Sequence, residues 1–198
     1  MYDNSLIVFL SDHGDMLGDH HHWRKTYAYE GSSHVPFIVK PPLNLKVDKH
    51  IKLEQVVELR DVLPTFLDAV GIDKPSEIDG MSVLPLLSNS KAEWRPYIDL
   101  EHAAIYENHN YWAGLTDGKM KYIWFFRTGE EQLFDLNVDN EEINNLAKDK
   151  KYEKELTKWR QYMVQHLSER GEPYVKDNKL NVFQKNILLS PNYPKVEQ

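Results

Sequence analysis

Ser5-Leu6-Ile7-Val8-Phe9-Leu10-Ser11-Asp12-His13-Gly14-Asp15 is the stretch on which the fold turns. Its first half is a continuous apolar run rich in β-branched and aromatic residues. Such a run reads as a strand buried on both faces, of the kind found in parallel sheets. Its second half is polar and starts where the strand stops. In open α/β sheets ligands bind at the carboxyl ends of strands, so Asp12 and His13 fall where chemistry is done. A second buried strand is expected over Val35-Pro36-Phe37-Ile38-Val39-Lys40, stopped by Pro41-Pro42. The residues from Ser11 to His34 between them are polar and irregular, and a connection of that length in a compact domain is usually functional.

Further along, Asp61 is placed to cap a helix, Pro64 fits its first turn and Gly71 ends it. Leu63, Phe66, Leu67 and Val70 recur at helical spacing and are expected to face a core. Asp79-Gly80 is a turn, and Met81 to Leu87 a short apolar segment. From about residue 96 the period becomes two. Tyr111–Thr116 and Lys119–Phe126 flank Asp117-Gly118, a strong hairpin signal. Met120, Tyr122, Trp124 and Phe126 share one face, and Lys119 and Lys121 begin the other. Glu131 to Asp135 is a further strand. Tyr152, Leu156, Trp159, Met163 and Leu167 mark an amphipathic helix ended by Gly171 and Pro173. From about 174 the chain is polar and aperiodic and is expected to wrap the surface or be partly disordered. The organisation is therefore α/β: residues 1–95 a piece of an α/β sheet domain, residues 96–198 a small antiparallel sheet with one long helix and a tail.

Composition narrows the functions. Lys plus Arg is 24 against 31 Asp plus Glu, a net charge of −7. That excludes a non-specific nucleic-acid binder, which needs basic excess. With 5 Trp and 11 Tyr among 198 residues the chain is not of the disordered class. There is no cysteine. Disulfides, thiolate metal sites and a cysteine nucleophile are excluded with it. No apolar run approaches the roughly 20 residues of a membrane-spanning helix, and no secretory signal pattern opens the sequence.

The chemistry-bearing segment runs from Ser11 to Lys25. Adjacent Asp12 and His13 at a strand end can converge on one cation, giving one oxygen and one nitrogen ligand. That mix suits Mn²⁺, Zn²⁺ or Fe, and Ca²⁺ or Mg²⁺ less often. Gly14 permits a tight turn and close approach, and Lys25 offers a point charge to an anion. The plainer readings stand beside these. Asp, His and Gly after a strand often form only a turn. His20-His21-His22 reads as a solvated run, and Lys25 as a surface lysine.

The order of motifs adds a resemblance. Leu6 to Asp19, then Lys25, Tyr29-Glu30-Gly31-Ser32 and Val35-Pro36, strongly resemble the type I sulfatases of the alkaline-phosphatase-like superfamily. Asp61 to Asp68, Asp79 to Leu87, Asp117 to Ile123, Glu131 to Leu136, Glu141-Glu142 and Asn145-Leu146 continue the likeness in order, over about residues 5–170. The resemblance implies the C-terminal part of an alkaline-phosphatase-like α/β domain followed by its C-terminal subdomain. It implies that Asp12 and His13 are metal ligands, the metal being Ca²⁺ most commonly in the family, with Mn²⁺ or Mg²⁺ as alternatives. It implies that Lys25 contacts the sulfate, that Glu30 is structural, and that His22, Glu101, His102 and His109 are placed to reach a small-molecule or glycan sulfate ester.

In the family a formylglycine, made from Cys or Ser in Cys/Ser-x-Pro/Ala-x-Arg, supplies the nucleophile. Ser90-Lys91-Ala92 is the nearest candidate here, but Trp94 stands where the arginine belongs and Arg95 comes one position late. The expectation is a chain that enters the sulfatase pattern just before its second metal-binding loop, lacks the nucleophile and is inactive alone. A missing N-terminal portion or partner chain would then complete it, and an exposed apolar edge at residues 5–10 would be its sign. The family's periplasmic or secreted location carries no signal segment here. The alternatives are a phosphonate or phosphate ester hydrolase of the same superfamily, which His13 favours, a non-catalytic truncated or split module, and a histidine-rich metal binder.

Overall fold

A computed structural model describes residues 1–47, 50–104 and 106–185. Its centre is a four-stranded antiparallel meander in the order β3 (Ile98–His102), β4 (Trp112–Thr116), β5 (Met120–Phe125) and β6 (Glu131–Asp135). Asp117-Gly118 makes the β4–β5 turn, with Gly118 at φ +80°, a conformation that favours glycine. Asp117 Oδ1 accepts the amides of Lys119 and Met120 at 2.9 and 2.7 Å and tightens that turn.

The period-two pattern of β5 sorts its side chains to two buried faces. Tyr122, Trp124 and the following Phe126 meet Leu115, Leu133 and the long helix α4 (Glu153–Ser168), which inserts Leu156, Trp159, Met163 and Leu167. Full burial of one such side chain stabilises by about 1.5–3 kcal/mol, so this face is the main core. The opposite face carries Trp112, Ile123 and Phe134 and is covered by Ala28 and Tyr29 of the N-terminal loop. Lys121 lies on this second face and is completely buried.

The N-terminal half differs from the sequence expectation in two places. Strand β1 (Ile7–Leu10) pairs with β2 (Phe37–Lys40) antiparallel, with Phe9 opposite Ile38. It is not a parallel strand buried on both faces. Phe9 is 62% and Ile38 59% exposed, so one face of this two-stranded ribbon is bare among the described residues. The run of apolar residues is real, but a strand buries both faces only where layers lie on both sides.

Helix α2 (Val62–Ala69) forms where expected, and Gly71 closes it at φ +71°. Its apolar stripe does not face a core: Leu63, Phe66 and Val70 are exposed, while Pro64 and Thr65 are buried. Asp61 does not cap α2 with its side chain. Fully buried, it accepts the Glu58 and Met81 amides at 2.9 and 2.8 Å and two bonds from Arg95. Gly80 passes so close to Arg60 that a Cβ would lie 1.9 Å from its carbonyl oxygen. The apolar segment after it becomes α3 (Leu84–Ser88), which buries Leu84, Leu86 and Leu87.

The tail is not surface wrapping throughout. β7 (Val175–Lys176) and β8 (Lys179–Leu180) form a small hairpin, and Tyr174 and Phe183 pack edge-on to Phe126 and Tyr111. The polar stretch beyond 185 lies outside the described residues.

Candidate active site

The loop after β1 is shaped by backbone links rather than by regular structure. Gly14 donates its amide to the Ser32 carbonyl at 2.8 Å, at the end of α1 (Glu30–Ser33). A Cβ at Gly14 would lie 2.1 Å from the Gly31 oxygen, so only glycine permits this approach. Met16 donates to the Arg24 carbonyl at 2.9 Å, and the Asp15 carboxylate accepts the Leu17 and Arg24 amides at 2.9 and 3.1 Å. These bonds close the loop by tying Arg24, the residue before Lys25, to Asp15 and Met16. Inside it Leu17, His20, His21 and Arg24 all have positive φ, between 49° and 70°. Strain of this kind in non-glycine residues persists where the surroundings fix it, and it clusters at functional sites.

Asp12 is exposed. His13 is partly buried, and its Nδ1 lies 2.7 Å from the Gly14 carbonyl. A carbonyl only accepts, so Nδ1 carries a proton, and in the neutral imidazole Nε2 is then the nitrogen with the free lone pair. That Nε2 is 3.5 Å from Asp12 Oδ2. One carboxylate oxygen and one imidazole nitrogen thus face the same point, with the tautomer set by a carbonyl as in metal-ligating histidines. The pair fits a divalent cation as part of a ligand set. No group of three or more such ligands forms among the described residues.

The C-terminal sheet grips the chain just past Lys25. Asn110 Nδ2 and Trp112 Nε1 both donate to the Thr26 carbonyl, at 3.0 and 3.1 Å. His102 stacks on Trp112 and its Nδ1 contacts the Asn110 carbonyl at 2.9 Å. His22 stacks on Tyr27 with ring centroids 3.8 Å apart. Burial lowers the His22 pKa, and His20 lowers it further. Glu107 acts on His22 in the opposite sense, and the same Glu107 pairs with His109 Nε2 at 3.0 Å. The structure therefore sets His102 on the tryptophan that holds Thr26, His22 on Tyr27, and His109 on the glutamate that acts on His22. Glu101 is set apart: its carboxylate pairs with Arg170 at the end of α4.

The sequence did not point to Glu107, Asn110, Trp112 or Lys121 as part of this arrangement. Lys121 Nζ donates to the Ala28 carbonyl at 2.8 Å and pairs with Glu30 and Glu142 at 2.7 and 2.8 Å. Glu142 in turn accepts the Glu30 amide at 2.6 Å. The motifs at Tyr29 to Ser32, Asp117 to Ile123 and Glu141-Glu142 held Glu30, Lys121 and Glu142, but none of them gave a partner.

Asp12, His13 and Lys25 thus lie on one backbone-closed loop that follows strand β1. The family model for the C-terminal region of N-sulphoglucosamine sulphohydrolase matches residues 18–169. The chain belongs to that family, and with it to the sulfatases, the sulfuric ester hydrolases. It is 39% identical to an arylsulfatase of Clostridium perfringens over 179 residues, 90% of this chain and 37% of that protein. A solved 2-O GAG sulfatase superposes with a TM-score of 0.75 at 28% identity, covering 91% of this chain and 40% of the other. A phosphonate monoester hydrolase of Silicibacter pomeroyi superposes with a TM-score of 0.72 at 26% identity, covering 92% and 39%. The chain thus spans well under half the length of these relatives. No helix among the described residues is long and apolar enough to cross a membrane.

Proposed function

We propose that this chain is the C-terminal part of a sulfatase that hydrolyses a small-molecule or glycan sulfate ester, and that it is inert alone. One observation carries the reading: His13 Nε2 and Asp12 Oδ2 face each other at 3.5 Å on the same closed loop that carries Lys25. Asp12 and His13 would hold a divalent cation, Ca²⁺, Mn²⁺ or Mg²⁺, whose charge would be available to offset negative charge on the sulfuryl oxygens. Lys25 places a second positive charge on those oxygens. His22, His102 and His109 line the approach, and Glu101 supports the wall through Arg170. The division near residue 95 separates the metal loop from the subdomain that forms this wall.

Inertness follows from what the 198 residues do not contain. There is no cysteine, and no serine stands in a Ser-x-Pro/Ala-x-Arg frame, so no residue can become formylglycine. The bare Phe9–Ile38 face supports a remaining portion that covers it. A 4-nitrophenyl sulfate assay with Ca²⁺ or Mn²⁺ is expected to give no turnover above background; measurable turnover rejects inertness. Mn²⁺ binding followed by water proton relaxation is expected to be weak and to vanish in Asp12→Asn. Retention in that variant rejects the ligand assignment.

A phosphonate or phosphate ester hydrolase is the second reading. His13 beside Asp12 and the superposition on a phosphonate monoester hydrolase favour it. Stronger binding of methylphosphonate than of inorganic sulfate is the result that selects it.

A further inference from the structure

The segment from Tyr106 to Asn110 leads into β4, and the carboxylate of Glu107 within it has no chemical role in the site as described so far. Its C-terminal end is fixed by β4, and His102 of β3 contacts the Asn110 carbonyl at 2.9 Å. At its far end the Asn110 side chain holds the Thr26 carbonyl, the residue after Lys25. This loop is therefore carried to the rim of the anion-binding stretch. Within it, the Glu107 carboxylate is more than half exposed and is held by His109 Nε2 at 3.0 Å. The adjacent Tyr106 ring is 70% exposed. On the opposing loop stand His22, stacked on Tyr27, and the exposed Trp23. An acid at this rim repels a sulfate anion, so attraction to sulfate does not account for it. A carboxylate steadied by an imidazole, flanked by exposed aromatic rings, matches another need. It accepts hydrogen bonds from the hydroxyl or amino groups of a sugar, while the rings take the sugar's apolar face.

We infer that Glu107, oriented by His109, is a specificity-determining residue that reads a hydroxyl or amino donor next to the sulfate of a bound sugar. The inference rests on the reading of Lys25 as the sulfate contact. Its chemistry predicts a preference for sulfated sugars over inorganic sulfate, and for sugars over sulfate esters that offer no donor.

The test is a chemical-shift titration of the whole chain with sodium sulfate, with glucose 6-sulfate and with methyl sulfate. Wild type is expected to bind glucose 6-sulfate more tightly than either of the others. In Glu107→Gln, which leaves an exposed side chain of the same size, the ratio of sugar-sulfate to inorganic-sulfate affinity is expected to fall at least several-fold. His109→Ala is expected to lower the same ratio less. If Glu107 only repels anions, the Gln variant raises both affinities together and leaves the ratio unchanged, which overturns the inference. If wild type binds no sulfate, or Lys25→Ala binds it as well as wild type does, the reading of Lys25 fails first and the inference falls with it. The two failures are thus distinct.

Discussion

Lys121 is completely buried on the second face of the meander, and its ammonium lies 2.8 Å from a carboxylate oxygen of Glu142, which is itself 1% exposed. Glu30 shares the same ammonium at 2.7 Å. Burying charges costs several kcal/mol each unless partners and hydrogen bonds offset it. Here the offset ties the N-terminal loop to the sheet, because Lys121 also holds the Ala28 carbonyl and Glu142 holds the Glu30 amide.

Removing one member of this set leaves the others without compensation. Lys121→Met is expected to destabilise the chain by about 3–5 kcal/mol, read from urea unfolding. The double variant Lys121→Met/Glu142→Met removes the stranded charge as well and is expected to recover part of that loss. A double variant no more stable than the single one contradicts this account. Proton exchange at the amides around Ala28 is expected to speed up in the single variant.

The same cluster sets a pH dependence. Burial pushes the Glu30 pKa up, but the His34 hydrogen bond and the Lys121 charge outweigh it, and the value falls from an ordinary 4.5 to about 2. A depressed carboxylate contributes stability that is present above its unfolded value and lost as pH falls through its folded one. His34 is raised, by its bond to Glu30 first, so its contribution is present below 6.5 and lost as pH rises through its folded value. Glu142 is pushed up by burial, with Lys121 opposing, so its ionisation works against stability as pH rises above 4.5. Thermal midpoints measured from pH 2 to 8 are expected to show Glu30→Gln losing less stability than wild type between pH 4.5 and 2. Parallel curves over that window reject the assignment. In Glu30→Gln the His34 titration, followed by NMR, is expected to move back toward its ordinary value.

The sequence made some elements legible and hid others for physical reasons. Helix α4 and the Asp117-Gly118 hairpin were readable because periodicity and turn chemistry are local properties. The burial of Lys121 was not, since its partners Glu30 and Glu142 lie far away along the chain. The apolar stripe of α2 was seen correctly, but a stripe names a face and not what covers it. Asp12 and His13 were visible as a polar pair ending an apolar strand. The setting of Lys25 depends on the Met16–Arg24 closure and on Asn110 and Trp112 gripping Thr26, and no spacing in the sequence reports either.

The bare ribbon has a consequence in solution. Phe9 and Ile38 sit opposite one another on its exposed face, and α2 adds Leu63, Phe66 and Val70 to the exposed apolar surface. Exposed strand faces and edges of this kind template association. The chain is expected to self-associate with rising concentration in sedimentation velocity, and Phe9→Lys/Ile38→Lys to shift it toward monomer with its circular dichroism unchanged. Wild type that stays monomeric at high concentration contradicts this.

Gly14 links the fold to the candidate metal loop, and glycine is required there for space rather than for φ. An added Cβ meets the Gly31 carbonyl oxygen at 2.1 Å, and backbone cannot move aside as a flexible side chain does. Gly14→Ala must therefore part the loop from α1, breaking the Gly14 to Ser32 bond and shifting His13, whose Nδ1 is oriented by the Gly14 carbonyl. The cost is expected at about 1–3 kcal/mol, in the range of overpacked sites. Gly71→Ala is the control. Gly71 has φ +71° and nothing within 4 Å, so it should lose about 1–2 kcal/mol through conformation alone. The two variants can thus match in stability and still differ at the site. Weak Mn²⁺ binding, measured by proton relaxation, is expected to survive Gly71→Ala and to be lost in Gly14→Ala. Equal retention in both means the Asp12–His13 pair does not depend on the Gly14–Gly31 approach.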